Sequence, residues 1–169
     1  VVFGEVNSAY VSNVKVMNST INAPFAGAIA GLQHNTTFKT DSVVNVRISN
    51  NISVTDGYAG SATWQQTNLK DLPYSVVLGG VSGLILRNDG KTSVSIEDVY
   101  VNSVTIEDVG TESYHSALGG LAGIMVSDND SVKNAIVVNS DVSLRSCSLD
   151  QQGKGSIKGG TVMGGFAGA

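Results

Sequence analysis

The chain has 169 residues, enough to bury a hydrophobic core, and 41% of them are hydrophobic, which excludes a disordered tail. Only 14% are charged, the net charge is -4 and no Lys/Arg cluster occurs, so nucleic-acid binding has no electrostatic footprint. The longest apolar stretches, near 74–86 and 117–126, are too short to cross a membrane as helices, so we expect no membrane span. Ser, Thr, Asn and Gly replace the missing charges, which favours an extracellular or cell-surface location.

The first predicted element is a pair of short strands joined by a polar corner. Val14 and Val16 form one alternating run, residues 17–20 the corner, and Ile21 and Ala23 the second run. Three further copies have corners at 49–51, 102–103 and 139–141, flanked by Val46, Ile48, Ile52 and Val54, by Val99, Val101, Val104 and Ile106, and by Ile136, Val138, Val142 and Leu144. Such alternation indicates strands with one buried face, and Asn tolerates the left-handed conformation that bends a strand without reversing it.

A glycine-rich box of the form Gly-small-hydrophobic-small-Gly recurs along the chain. Its four copies occupy residues 27–31, 79–83, 119–123 and 164–168. Glycine and alanine let neighbouring backbones approach closely, so we expect the boxes to stack as a narrow ladder along one side of the molecule. Apolar residues occupy both faces of 78–86, which favours a side that is buried on both faces.

The boxes are irregularly spaced, and two segments account for most of the irregularity. We predict surface insertions near 55–75 and 145–161, rich in Gly, Gln and Asp. The rest of 1–169 is expected to form a single segment of a longer repetitive protein.

Three short sides joined by polar corners would make one coil of a parallel β-solenoid, or β-helix. The sequence therefore predicts an all-β chain of about three coils with two loop insertions, and a β-sandwich remains the alternative. Solenoids need caps at their ends, and neither terminus resembles one. We therefore expect the ends to stack on further repeats of the same protein or on other copies of the chain.

The boxes, together with the Val14–Ile21 segment, resemble the GLUG motif, a glycine-rich repeat of large surface proteins and haemagglutinin-like adhesins. The resemblance covers most of the chain outside the two insertions. It departs from the usual pattern in the insertion after Val54 and in Gly27-Ala28, which replaces Gly-Gly. It implies a β-helical, exported and surface-attached protein, and it carries no catalytic residues to transfer.

Candidate site residues fall into two groups. Four Asn-x-Ser/Thr sequons, at predicted corners or loops, are possible N-glycosylation sites: Asn18, Asn35, Asn51 and Asn129. Three aromatic residues around the first insertion could bind a ligand or a partner: Tyr58, Trp64 and Tyr74. Neither a zinc-ligand spacing nor a Gly-x-Ser-x-Gly elbow occurs, and Arg47, Arg87 and Arg145 do not recur with acidic residues, so we expect no cofactor, no metal and no catalytic residues.

These patterns favour an extracellular structural or adhesive surface protein, with the chain as a possible repeating unit of a cell-surface fibre. The alternative is a carbohydrate- or receptor-binding module that uses the insertion aromatics, with glycans or a host or cell-surface receptor as partners. A polysaccharide-degrading β-helix enzyme has the least support, because such enzymes need a groove lined with carboxylates.

Overall fold

The computed structural model describes residues 1–51, 74, 76–86, 95–109, 116–126, 131–144, 148–149, 155–156 and 162–169. Within these ranges all regular elements are β-strands, and none is a helix. Four sheets contain only parallel neighbours, and a fifth is the antiparallel pair of β18 (Ser148–Leu149) and β19 (Gly155–Ser156). The prediction of an all-β chain is confirmed, and the parallel pairing is not what the β-sandwich alternative predicts.

Two of the sheets, A and B, each consist of four short parallel strands in chain order. Sheet A contains β1 (Phe3–Asn7), β5 (Ala30–His34), β9 (Ser82–Leu86) and β14 (Ala122–Val126). Sheet B contains β2 (Tyr10–Ser12), β6 (Thr37–Lys39), β10 (Ser95–Glu97) and β15 (Ser131–Lys133).

The other two sheets, C and D, follow the same chain order. Sheet C begins with β3 (Lys15–Asn22) and β7 (Ser42–Asn50), and continues through β11 (Tyr100–Asn102) and β12 (Thr105–Asp108) to β16 (Ile136–Val138) and β17 (Asp141–Leu144). Sheet D contains β4 (Phe25–Gly27), β8 (Val76–Gly79), β13 (Ser116–Gly119) and β20 (Val162–Gly164).

The chain visits sheets A, B, C and D in the same order four times, and each such visit is called a pass. A fifth visit to sheet A begins where Ala167 bridges to Ala122. The sequence analysis expected about three coils, so the number of passes differs from that expectation. The strand pair at 14–23 was predicted within the first pass, but this pass was not counted as a complete coil. Only Gly4 of its box is recognisable, between the paired residues Phe3↔Ala30 and Glu5↔Leu32.

The first two passes are offset by 27 residues across sheets A, B and C, as in Phe3↔Ala30, Tyr10↔Thr37 and Lys15↔Ser42. Later passes are longer, and their extra residues fall between sheets A and B or between sheets C and D. Both predicted insertions, near 55–75 and 145–161, interrupt the second of these connections. Most of their residues lie outside the described part of the chain, as do all residues of the 87–94 connection, which was not predicted as an insertion.

Residues with positive φ bend the chain at the polar corners. Between the two halves of sheet C these residues are Asn18, Asn45, Ser103 and Asn139, with φ near 50° in each. The corners predicted around Asn18, Ser103 and Asn139 are therefore confirmed. Short polar residues occur there because they tolerate positive φ better than bulky residues do.

The corner predicted at 49–51 is wrong. The bend lies at Asn45, and β7 continues to Asn50, so Ile48 pairs with Ile21 and Ile106. The bend escaped detection because apolar Val44 and Val46 flank Asn45, which hides the change of phase in the alternation.

Each glycine box forms the corner from sheet D to sheet A. The first glycines of the boxes, Gly27, Gly79, Gly119 and Gly164, stack in register, which confirms the predicted ladder. A Cβ added to Gly120 would collide with the carbonyl oxygen of Gly165 in the next pass. Glycine is required here because the backbones of successive passes leave no room for a side chain.

Two hydrophobic clusters form the core. The larger lies among all four sheets and includes Phe38, Ile48, Leu78 and Ile106, which are completely or almost completely buried. The second contains the outward-alternating residues of sheets A and D: Leu32, Leu84 and Ile124 with Val77 and Ala117. Residues 76–86 are therefore buried at every position, which explains why both faces of this segment are apolar.

One acidic residue, Asp41, lies at a core position that Val14, Val99 and Ala135 occupy in the other passes. Its side chain is buried, Oδ1 accepts a hydrogen bond of 2.7 Å from the backbone N–H of Val14, and Oδ2 has no partner among the described residues. Burial raises the pKa of the Asp41 carboxyl above its ordinary value, although hydrogen bonds from the backbone of Val14 and Lys39 oppose this effect.

Gly120→Ala should destabilise the protein by about 1–3 kcal/mol, because the new methyl group collides with the Gly165 carbonyl and the stacked backbones must separate. Gly165→Ala is the matched control, since it changes the same box position where no atom lies within 4 Å of the added Cβ. Chemical denaturation of both variants checks this. Equal losses of stability would contradict the close-approach explanation.

Asp41→Asn should gain stability relative to the wild type as the pH rises from 4 to 7. A carboxyl whose folded pKa is raised contributes stability that is fully present below its unfolded pKa of about 3.9 and is lost as the pH rises through the folded pKa. The asparagine does not titrate, so the difference between the two melting temperatures should change in its favour. Thermal melts across this pH range measure the effect, and parallel profiles would contradict it.

Candidate interaction surfaces

Parallel in-register pairing arranges the outward residues of sheet C in columns. One column consists of the corner residues Asn18, Asn45, Ser103 and Asn139, and a second, two residues further along each pass, consists of Thr20, Arg47, Thr105 and Asp141. Neighbouring members of a column are about 4.8 Å apart, the spacing of hydrogen-bonded strands. The outer face of sheet C therefore presents two adjacent lines of polar side chains.

Hydrogen bonds between passes orient the amides of the corner column. Asn45 Nδ2 donates to Asn18 Oδ1 at 2.7 Å, and Asn139 Nδ2 donates to Asn102 Oδ1 at 3.1 Å. Ser103 interrupts the column, and its hydroxyl donates to Asn102 instead. Among the described residues, Asn18 Nδ2 and Asn45 Oδ1 have no partner, so both remain available to solvent or a ligand.

An ion pair joins the second column to a buried carboxylate. The Arg47 guanidinium, whose side chain is 54% exposed, contacts Glu107, whose side chain is 4% exposed. Sequence analysis did not pair Arg47 with an acid, because the pairing depends on the register of β7 with β12, which places Arg47 beside Thr105. The register therefore brings a buried carboxylate next to an exposed guanidinium.

The two columns enclose a polar groove of about 300 Å³ that crosses the first three passes. Val46 lies in its lining and is almost completely buried. This groove is hereafter called the sheet C groove. Its other lining side chains are polar or charged: Asn18, Ser19, Thr20, Asn45, Arg47, Ser103 and Thr105. The groove therefore offers amide, hydroxyl and guanidinium groups in fixed relative positions.

The four predicted glycosylation sites differ in their surroundings. Asn18 is exposed at its corner, and Asn51 is exposed at the end of β7. Asn35 is half-buried between His34 and Thr36, both buried, and Thr36 Oγ1 donates to the His34 carbonyl at 2.8 Å. Asn129 lies outside the described residues. Glycosylation at all four remains a prediction, and the first two have the more open surroundings.

Of the three predicted ligand-binding aromatics, the described part of the chain contains one, Tyr74. Tyr58 and Trp64 lie outside the described residues. Tyr74 is half-buried and packs against the second hydrophobic cluster. Two tyrosines that sequence reasoning did not select, Tyr10 and Tyr100, are more exposed, at 64% and 40%, on sheets B and C. The residue type alone does not predict their exposure, because tyrosine occurs on both buried and exposed positions. The alternation of their strands was the only sequence signal.

Among the described strands, those of the first pass form one edge of all four sheets, and those of the fourth pass form the other edge of sheets B, C and D. In sheet A, residues 166–169 lie beside the fourth-pass strand. Large exposed hydrophobic residues concentrate near these edges. In the described part of the chain they are Val1, Val2, Phe3, Tyr10 and Met17 near one edge, Val132, Ile136, Met163 and Phe166 near the other, and Tyr100 between them. Apolar side chains are thus left uncovered where the stack of passes stops.

The described residues contain no group of three or more His, Cys, Asp or Glu side chains that could hold a metal ion. They also contain no helix that is long and apolar enough to cross a membrane.

Comparison with protein-family models, with curated proteins and with solved structures finds no match for this chain. A functional assignment must therefore come from the geometry and from the residue patterns themselves.

Arg47→Met should destabilise the protein by about 1–3 kcal/mol, because it leaves the Glu107 carboxylate buried without its cation. Lys39→Met is the matched control: Lys39 pairs with Glu97 at 3.3 Å, but both side chains are more exposed than Glu107, so the cost should stay below about 1 kcal/mol. Adding Glu107→Gln to Arg47→Met should restore part of the loss. Denaturation midpoints of the four proteins decide the outcome, and equal effects of the two methionine substitutions would contradict it.

Proposed function

We propose that this chain is a segment of a parallel β-solenoid that serves as an extracellular structural or adhesive surface protein. The constant order of sheets and the in-register pairing of equivalent residues support the solenoid. The low charge, the Ser-, Thr- and Asn-rich composition and the resemblance to GLUG repeats support the extracellular location. The role of the solenoid is to present a regular surface and to extend it by adding passes.

The observation that carries this proposal is the concentration of exposed hydrophobic residues at the two open edges. The second and third passes have a neighbouring pass on each side. In their described residues, Tyr100 is the one large hydrophobic residue that is exposed. Open parallel edges with uncovered apolar residues favour pairing with a further strand. Further passes, supplied by the same protein or by a second copy, would cover these residues.

The hydrogen-bonding pattern at the first edge points the same way. At the start of sheet C, each later pass donates a backbone N–H to the pass before it: Ser42 to the Val14 carbonyl at 2.9 Å, Tyr100 to Asp41 at 3.0 Å and Ile136 to Val99 at 2.9 Å. Lys15 holds this position in the first pass, so its N–H points toward the open edge. An added pass would provide the missing acceptor.

A glycan-binding module remains the second candidate, and the polar lining of the sheet C groove favours it. The enzyme hypothesis has less support, because no carboxylate lines that groove and glycoside hydrolysis uses a pair of them.

Lys15→Pro should prevent self-association. The substitution removes the edge N–H and blocks pairing of an added strand, whereas proline on an edge strand costs the chain none of its own hydrogen bonds. The wild-type chain should form end-to-end assemblies as its concentration rises, measured by sedimentation velocity and electron microscopy.

Lys15→Ala is the control, because it removes the same side chain but keeps the N–H, and it should assemble like the wild type. A wild-type chain that stays monomeric at every concentration would overturn assembly between copies. Equal assembly of the proline variant would show that association uses another surface.

A further inference from the structure

The sheet C groove includes the Asn45–Asn18 pair that joins two passes, and its side chains are also arranged as a site. Three consecutive passes each contribute one residue from each of the two columns, so the groove crosses three strands of sheet C. Its volume of about 300 Å³ is at the lower end of the range of small-molecule sites, but its lining is polar where such sites are mostly apolar. A ligand that fits must therefore satisfy many hydrogen-bonding groups.

The lining side chains are held in place before any ligand arrives. Glu107, which is buried although it lies on the same face of β12 as Thr105, pairs with the Arg47 guanidinium, whose other N–H groups remain to donate. The Asn45 amide is fixed by its bond to Asn18 Oδ1. Binding therefore loses little conformational entropy in the Arg47 side chain and the asparagine amides. This favours affinity for a small polar ligand.

The balance of charge and hydrogen-bonding groups selects the class of ligand. Glu107 already neutralises Arg47, so the groove carries no net positive charge to hold a carboxylate or a sulfate. Its amides and hydroxyls include both donors and acceptors, which matches a polyol whose hydroxyls donate and accept. We propose that the sheet C groove is a binding site for a neutral saccharide.

Two sources could supply this saccharide. One is a free oligosaccharide, and the other is a glycan attached to Asn18, the acceptor of the Asn18-Ser19-Thr20 sequon at the groove. Asn18 Oδ1 accepts from Asn45, and Nδ2, the atom to which a glycan would be attached, has no partner among the described residues. Attachment would therefore keep the existing hydrogen bond. The chemistry that the groove recognises is the same in both cases.

The first arm of the test uses unglycosylated protein made in bacteria. Neutral oligosaccharides of glucose, mannose and galactose, and an oligogalacturonate as the acidic probe, are titrated while backbone amide signals are followed by NMR. Neutral probes should shift the signals of the groove residues saturably. Thr105→Val keeps the side-chain shape but removes one lining hydroxyl, and should weaken binding about threefold to tenfold. Thr37→Val, a matched change on sheet B, should leave the affinity unchanged.

The second arm uses protein secreted from eukaryotic cells. A glycan found on Asn18 by mass spectrometry, with NMR contacts between sugar protons and Thr20 or Thr105, would support the attached source. Binding in the first arm would support the free source. The proposal is overturned if neutral probes cause no groove shifts and the secreted protein shows no sugar contact, or if the acidic probe alone binds. Neither result depends on assembly, so failure here is distinguishable from failure of the stacking proposal.

Discussion

The structure depends on one constraint: the backbone of each pass must hydrogen-bond, in register and in parallel, to the passes on either side of it. The 27-residue offset between the first two passes holds across sheets A, B and C because a change of one residue would turn every inward side chain outward. Extra residues are accepted only at the connections from sheet A to B and from sheet C to D. The same constraint leaves no space beside the stacked glycines of the boxes.

The constraint also turns single residues into columns, and columns account for the functional features of this chain. An outward residue acquires neighbours from other passes that are far away in the sequence, which is how Arg47 meets Glu107 and Asn45 meets Asn18. Where the columns stop, they leave open hydrogen-bonding groups and exposed apolar side chains, which is the basis for proposing that further passes stack there. Where they continue across three passes on sheet C, they create a polar groove.

Much of the architecture could be predicted because its signals are local. The glycine spacing indicates the boxes. A polar residue that breaks an alternating run indicates the corners at Asn18 and Asn139. The prediction failed where the local signal was weak. Asn45 lies between two valines, which hid the corner and shifted the predicted second copy by one strand. The box around Gly4 keeps one glycine, so the first pass was predicted without its box. The packing of Tyr74 against the second hydrophobic cluster is a contact that no local pattern reveals, and its predicted role in binding stays a prediction.

The sequence by itself determined that the chain is all-β, that its strands bend at polar corners and that glycine boxes stack along one side. These properties follow from side-chain periodicity and from the conformations that Asn and Gly tolerate, both of which act over a few residues. Only the tertiary structure decided the pairing of Arg47 with Glu107, the burial of Asp41 and the sheet C groove. Each of these depends on which residues of different passes share a column, and that register is set by the hydrogen bonding of the whole stack rather than by any short stretch of the chain.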